Sequence, residues 1–98
     1  SMFFNQSITC PEAKSIIDAG GQLIDVRSPM EHAQFTIPGS KNIPLNDIGS
    51  AEFHLDKSKP VVVYCQSGAR SGHAKMVLNS MGFPEVHNLG SVQSYFTC

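Results

Sequence analysis

The sequence has no tryptophan, only three cysteines and no long apolar run. Its clearest apolar run, residues 61–65, is far too short to cross a bilayer. The 98-residue chain carries a formal net charge of −1, and its lysines and arginines are scattered rather than gathered into a basic stripe. We therefore expect neither nucleic acid nor a membrane surface among its partners.

The cysteines are Cys10, Cys65 and Cys98, an odd number without a Cys-x-x-Cys pair. This pattern disfavours both a disulfide framework and a zinc site, so we expect no metal, and it leaves room for a reactive thiol. Cys98 is the last residue and is predicted to be mobile. Cys10 and Cys98 are interpreted as incidental; the alternative is that one of them resolves an oxidised Cys65 into a disulfide.

The composition, 41% hydrophobic and 15% charged, is typical of a folded globular chain, and the length predicts one domain over residues 1–98. Ser1 and Met2 are interpreted as residues added for expression. The N-terminus lacks the basic start and apolar stretch of a signal peptide. Cytoplasm is therefore the predicted compartment, with a targeting segment already removed as the alternative.

Short β-branched runs alternate with helical stretches along the chain. Strands are predicted at 3–8, 23–26, 41–43, 61–64 and 86–89, and helical segments at 11–19, 28–34, 46–53, 72–81 and 91–96. Such alternation predicts parallel strands joined by right-handed crossovers. The expected fold is a three-layer α/β domain with a small, mostly parallel central sheet and helices on both faces.

Cys65 ends the predicted central strand, and the carboxyl ends of parallel strands are where ligands bind in such sheets. The loop that follows reads Gln66-Ser67-Gly68-Ala69-Arg70-Ser71 and leads into a helix. A free thiol is only about 3% ionised at pH 7. Backbone N–H groups of a small-residue loop, a helix N-terminus and an arginine would all favour the thiolate. A merely buried cysteine is the competing interpretation, but core packing does not require such a loop.

Three segments of the sequence resemble the rhodanese family. Leu23-Ile24-Asp25-Val26-Arg27 is similar to its Asp-Val-Arg strand, and Ile37-Pro38-Gly39-Ser40-Lys41-Asn42-Ile43-Pro44, after Glu31, is similar to its Ile-Pro-Gly-Ala-x-Asn-Ile-Pro segment. The strand and loop from Val62 to Ser71 resemble its active-site loop. The resemblance implies a rhodanese-like fold and no cofactor.

The resemblance also implies an enzyme that transfers sulfane sulfur through a Cys65 persulfide. The donor would be a small anion such as thiosulfate or a persulfide, and the acceptor cyanide or a thiol on a small molecule or protein. Cys65 would be the catalytic nucleophile. The substrate-binding residues would be Gln66, Ser67, Gly68, Ala69, Arg70 and Ser71, with Arg70 nearest to an anionic donor.

Other functions stay open at this point. One is a persulfide carrier that serves a protein partner, and another is an inactive interaction domain, which would have no need of Cys65 and Gly68. A dual-specificity-type phosphatase ranks lower, because four residues separate Cys65 from Arg70 where such phosphatases place five. That tighter loop suits attack on one sulfur atom better than attack on a phosphate ester.

Several polar residues are interpreted as structural. Asp25 and Arg27, near Glu31, are predicted to form a supporting cluster of hydrogen bonds and ion pairs. His73 is predicted to be a solvated helix residue rather than a base, because a pre-ionised thiolate needs none. The remaining histidines lack ligand spacing. They are His32, His54 and His87.

Overall fold

A computed structural model describes residues 6–98 of the chain. Its first half contains α1 (Cys10–Asp18), β1 (Gln22–Asp25), α2 (Pro29–Gln34), β2 (Lys41–Asn42) and a 3-10 helix, Leu45–Phe53. Its second half contains β3 (Val61–Cys65), α3 (Ala69–Ser80), β4 (Val86–Ser91) and a C-terminal 3-10 helix, Val92–Phe96.

The first two helices begin within one residue of the predicted positions. Thr9 and Ser28 are N-caps, and each is followed by a proline near the first helical position and a glutamate three residues after the cap. In both capping boxes the hydroxyl accepts from the glutamate N–H while the glutamate carboxylate accepts from the cap N–H. These reciprocal bonds satisfy donors that a helix start otherwise leaves unpaired.

The four strands form one parallel sheet in the order β2-β1-β3-β4. Side chains of β3 alternate between two apolar clusters, as strand geometry requires. Val61, Val63 and Cys65 pack with α3 and the first 3-10 helix, whereas Val62 and Tyr64 pack with α1 and the C-terminal 3-10 helix. The predicted α/β fold with helices on both faces is confirmed. Within residues 6–98, no helix is long and apolar enough to cross a membrane.

The predicted first strand, residues 3–8, lies partly outside the described residues. Residues 6–8, its described part, do not form a strand. The backbone of Ile8 nevertheless donates to Asn88 O at 2.8 Å, so this segment runs beside β4.

A disulfide joins Cys10 to Cys98, so the prediction that these two cysteines are incidental, and that Cys98 is mobile, is wrong. The C-terminal 3-10 helix packs against α1, where Lys14 Nζ donates to Cys98 O at 2.8 Å and lies 4.8 Å from the centre of the Tyr95 ring. Residues 88 positions apart are brought together by tertiary packing. Spacing along the chain carries no signal of this contact. Because Cys10 and Cys98 are bonded to each other, Cys65 is the free cysteine among the described residues.

Reduction of this disulfide is expected to destabilise the fold strongly. A crosslink that closes so long a loop restricts the unfolded chain, and its loss typically costs about 2–5 kcal/mol. Urea unfolding of the Cys10→Ser/Cys98→Ser variant should therefore show a lower midpoint than the oxidised wild type. The control is Cys65→Ser, whose midpoint should fall on addition of reductant as the wild type's does. Equal midpoints for the oxidised and reduced wild type, with the bond verified by mass, would contradict this expectation.

Candidate active site

Cys65 is the last residue of β3, an interior strand paired on both sides. Because β1 and β4 run parallel to β3, their carboxyl ends meet Cys65 at the same edge of the sheet. Asp25 lies opposite Tyr64 in this register, and Ser91 lies opposite Cys65. The sheet thus gathers at one edge residues that are far apart in sequence, which is the usual position of a ligand site in such folds.

The thiol sulfur of Cys65 is surrounded by hydrogen-bond donors of its own loop. Gly68 N donates to Sγ at 2.9 Å and Ser71 N at 3.4 Å, and Ser71 Oγ lies 3.3 Å from the sulfur. Burial raises the pKa of the Cys65 thiol, but the bonds from the Ser71 hydroxyl and from the backbone of Ser71, Gly68 and Ser67 outweigh burial. The net effect is a pKa below the ordinary value, so the folded loop favours the thiolate nucleophile.

Gly68 makes this arrangement possible through its backbone conformation. It is the N-cap of α3 with φ of +105°. A side chain at this position would have ordinary room, since its Cβ would lie 3.6 Å from Gly90 Cα. The left-handed conformation, rather than space, therefore demands glycine, and it aims the Gly68 N–H at the sulfur.

Arg70 makes a two-pronged ion pair with Glu31 of α2. Its NH1 donates to Oε1 at 2.6 Å and its NH2 donates to Oε2 at 3.0 Å. The hydrogen bonds from Arg70, followed by the backbone bond from Ser28, lower the pKa of Glu31 to about 2. The structure thus joins Arg70 to a residue that the sequence grouped with Asp25 and Arg27.

Asp25 and Arg27 form a buried pair at the same edge of the sheet, with side chains 0% and 3% exposed. The Asp25 carboxylate accepts from Arg27 N, Nε and NH2 at 2.8–3.2 Å, and His32 Nδ1 lies 2.8 Å from it. Burial raises the pKa of Asp25, but the bonds from Arg27 and His32 hold it below its usual range. Arg27 also reaches the Phe35 carbonyl and, at 3.5 Å, the Gln66 side chain.

Tyr64 connects the sheet edge to the Ile-Pro-Gly segment. Its hydroxyl lies 2.7 Å from Thr36 Oγ1 and 2.8 Å from Ser40 Oγ, and it accepts from Ile37 N at 3.2 Å. Because Thr36 also contacts His32 at 2.9 Å, one polar network runs from the neighbour of Cys65 to α2. This network ties the Ile-Pro-Gly segment and α2 to the end of β3.

Two recesses flank residues 66–69 of the loop, and a third is lined by Arg70 together with Ser28 and Pro29. On one side, Ser67, Gly68 and Ala69 face the end of β4; on the other, Gln66 lines a recess with residues of α2 and the C-terminal 3-10 helix. The second recess is also lined by Arg27, Glu31, Gln34, Phe35 and Gln93.

Of the predicted loop residues, Gly68 and Ser71 contact the Cys65 sulfur, whereas Arg70 is turned toward α2. His73 is exposed on α3, as predicted, and His54 is exposed too. Sequence reasoning missed the pairing of Glu31 with Arg70 and that of His32 with Asp25. A signal existed for both: α2 starts four residues after β1 ends, so its first turn must lie at the same sheet edge.

Among residues 6–98, no group of three or more histidine, cysteine, aspartate or glutamate side chains is placed to hold a metal ion.

Comparison with known proteins gives consistent results. The family model described as a rhodanese-like domain matches residues 9–96. The thiosulfate sulfurtransferase PspE of Escherichia coli is 40% identical over 72 residues, which cover 71% of this chain and 69% of PspE. YqhL of Bacillus subtilis is 43% identical over 68 residues, covering 69% of this chain and 54% of YqhL, so the chain spans about half the length of that relative. The structure of the human single-domain sulfurtransferase TSTD1 has a TM-score of 0.76 at 30% identity, covering 92% of this chain and 94% of the other.

The Ser71 hydroxyl is expected to help set the pKa of Cys65. In Ser71→Ala the thiolate loses one donor, so the midpoint of its titration should rise toward the value of a free thiol, about 8.5. The measurement is thiolate ultraviolet absorbance against pH, with the Cys65→Ser signal subtracted. Ser67→Ala is the matched control, because it keeps the backbone N–H that bears on the sulfur. A midpoint that is unchanged in Ser71→Ala would remove the hydroxyl from this role.

The same shift has a consequence for stability. The pKa of Cys65 is lower in the folded than in the unfolded chain, so the thiolate adds to the free energy of unfolding. This contribution is complete at pH values above the pKa of the unfolded chain. That contribution is lost as pH falls through the folded pKa.

Proposed function

The chain belongs to the rhodanese family, and from this premise we propose that it is a sulfurtransferase that carries sulfane sulfur on Cys65. The observation that carries the proposal is the ring of donors around Sγ, with Gly68 N at 2.9 Å and both Ser71 groups within 3.4 Å. These donors stabilise negative charge on the attacking thiolate. They can serve a terminal persulfide sulfur in the same way.

The proposed reaction has two steps and needs no cofactor. The Cys65 thiolate attacks the outer sulfur of thiosulfate; an S–S bond forms, the bond between the two thiosulfate sulfurs breaks, and its electron pair leaves with sulfite. Cyanide or a thiolate acceptor then attacks the terminal sulfur of the persulfide. The acceptor departs with that sulfur and Cys65 is regenerated as a thiolate.

The roles of the remaining site residues belong to this proposal. Gly68 and Ser71 hold charge on sulfur, and Gln66, Ser67 and Ala69 form the binding surface between the two recesses. Asp25 and Arg27 support the loop through the contact of Arg27 with Gln66. The acceptor is a thiol of a small molecule or a protein.

Incubation with thiosulfate should add one sulfur atom to the protein, as measured by intact mass. Cyanide should remove that atom, and Cys65→Ser should gain none. The Cys10→Ser/Cys98→Ser variant is the matched control and should gain the atom like the wild type, since the disulfide takes no part in the reaction.

The same experiment separates the competing functions. Rapid turnover with cyanide or thiols supports an enzyme, whereas a stable persulfide that only a protein accepts supports a carrier. Release of p-nitrophenol from its phosphate ester would support the phosphatase. Absence of sulfur uptake from thiosulfate and from other sulfane donors would contradict both sulfur functions.

We also propose that the protein works in an oxidising compartment. The sequence predicts the cytoplasm, but disulfides are rare there because cytosolic thiols are kept reduced, and the Cys10–Cys98 bond supports the alternative. Alkylation of thiols as the source cells are opened tests this proposal. We expect modification of Cys65 alone, and modification of all three cysteines would contradict it.

A further inference from the structure

The Glu31 carboxylate accepts hydrogen bonds from both the N-cap of α2 and the active-site loop. As part of the α2 capping box, its Oε1 accepts from Ser28 N at 3.0 Å. The same carboxylate accepts both terminal nitrogens of Arg70 at 2.6 and 3.0 Å. The capping bond fixes the position of the carboxylate, so Arg70 is held by a group that is itself anchored to the backbone.

This pair compensates the positive charge of the active-site loop. The hydrogen bonds to Glu31 raise the pKa of Arg70, with a smaller contribution from the charge of Cys65. Glu31 also lines the recess beside Gln66, the residue that follows Cys65. The side chains of Arg70 and Glu31 are 39% and 32% exposed, so both charges reach solvent at the loop. The other nearby arginine, Arg27, is buried and paired with Asp25. A donor that approaches the loop therefore meets the exposed Arg70 together with the Glu31 carboxylate.

Charge compensation acts unequally on different donors. Repulsion from the Glu31 carboxylate scales with the charge of the approaching ion, so it opposes a dianion about twice as strongly as a monoanion. Thiosulfate is a dianion, whereas the persulfide or thiosulfonate group of an organic donor carries one negative charge.

We propose that Glu31 is a specificity-determining residue. By compensating the positive charge of Arg70 beside the Cys65 loop, its carboxylate shifts the donor preference of the protein from dianionic to monoanionic sulfane donors. The inference rests on the proposed sulfurtransferase function. The reacting step is unchanged: with a thiosulfonate, the Cys65–sulfur bond forms as the bond to the sulfonyl group breaks and sulfinate leaves with the electron pair.

The test is the kinetics of Glu31→Gln with cyanide as acceptor and two donors, thiosulfate and benzenethiosulfonate. Glutamine keeps the length of the side chain and an oxygen that can accept from Ser28. Loss of one partly exposed charge should lower KM for thiosulfate about fivefold. KM for benzenethiosulfonate should fall only about twofold, because the Coulomb energy is halved. For both donors we expect kcat to stay within about twofold, because no donor to the sulfur is removed.

Glu52→Gln is the matched control. It also removes one carboxylate, but Glu52 lies on the 3-10 helix Leu45–Phe53, where it pairs with Lys57 at 3.5 Å and does not line the recesses beside the loop. It should leave the ratio of the two KM values unchanged.

Arg70→Ala supplies a second and independent variant. It leaves the Glu31 carboxylate uncompensated, so KM for thiosulfate should rise, and added salt should lower it again by screening the repulsion. The double variant Glu31→Gln/Arg70→Ala should return close to the wild-type KM. If Arg70 instead binds the donor directly, the double variant keeps the high KM and the inference fails.

A higher thiosulfate KM in Glu31→Gln, or an equal change for both donors, would also overturn the inference. Neither result touches the proposed function, which fails only if the wild type takes sulfur from neither thiosulfate nor any other sulfane donor.

Discussion

The parallel pairing of β1 with β3 is the constraint on which the site depends. It aligns Asp25 with Tyr64 and so brings the ends of both strands to one edge of the sheet. Cys65 emerges there beside the buried Asp25–Arg27 pair, and α2 begins close by. A slip of one residue would turn the Cys65 side chain to the α1 face and break the site, because successive residues of a strand point to opposite faces.

The chemistry of the loop follows from backbone geometry more than from a cation. Gly68 in its left-handed conformation and Ser71 in the first turn of α3 direct donors at the sulfur, while the charge of Arg70 is shared with Glu31. These donors are fixed by the fold before any substrate arrives, so they need no reorganisation when charge shifts onto sulfur. The loop therefore stabilises charge on Cys65 locally. The Arg70–Glu31 pair, more exposed, governs how an anion approaches.

A disulfide joins the start of α1 to the C-terminal residue Cys98 beside this site. The Cys10–Cys98 bond fixes the C-terminal 3-10 helix to α1, and that helix supplies Gln93 to the recess next to Gln66. Phe96 of the same helix contacts Phe35, with ring centroids 5.6 Å apart. The recess beside Gln66 thus lies between α2 and the C-terminal 3-10 helix, and the disulfide holds that helix in place.

The sequence by itself determined the order of the elements from α1 onward, the starts of α1 and α2 to within one residue, and the position of Cys65 at a strand end. All of these depend on local signals: capping residues, β-branched runs and a small-residue loop with glycine where φ is positive. Only the tertiary structure decided which side chains meet across the fold. The chain places the first turn of α2 near the end of β1, but the pairing of Arg70 with Glu31, of His32 with Asp25 and of Cys10 with Cys98 was fixed only by the fold. Such contacts are set by sheet register and helix packing, which is why local patterns could place the nucleophile but not its charged surroundings.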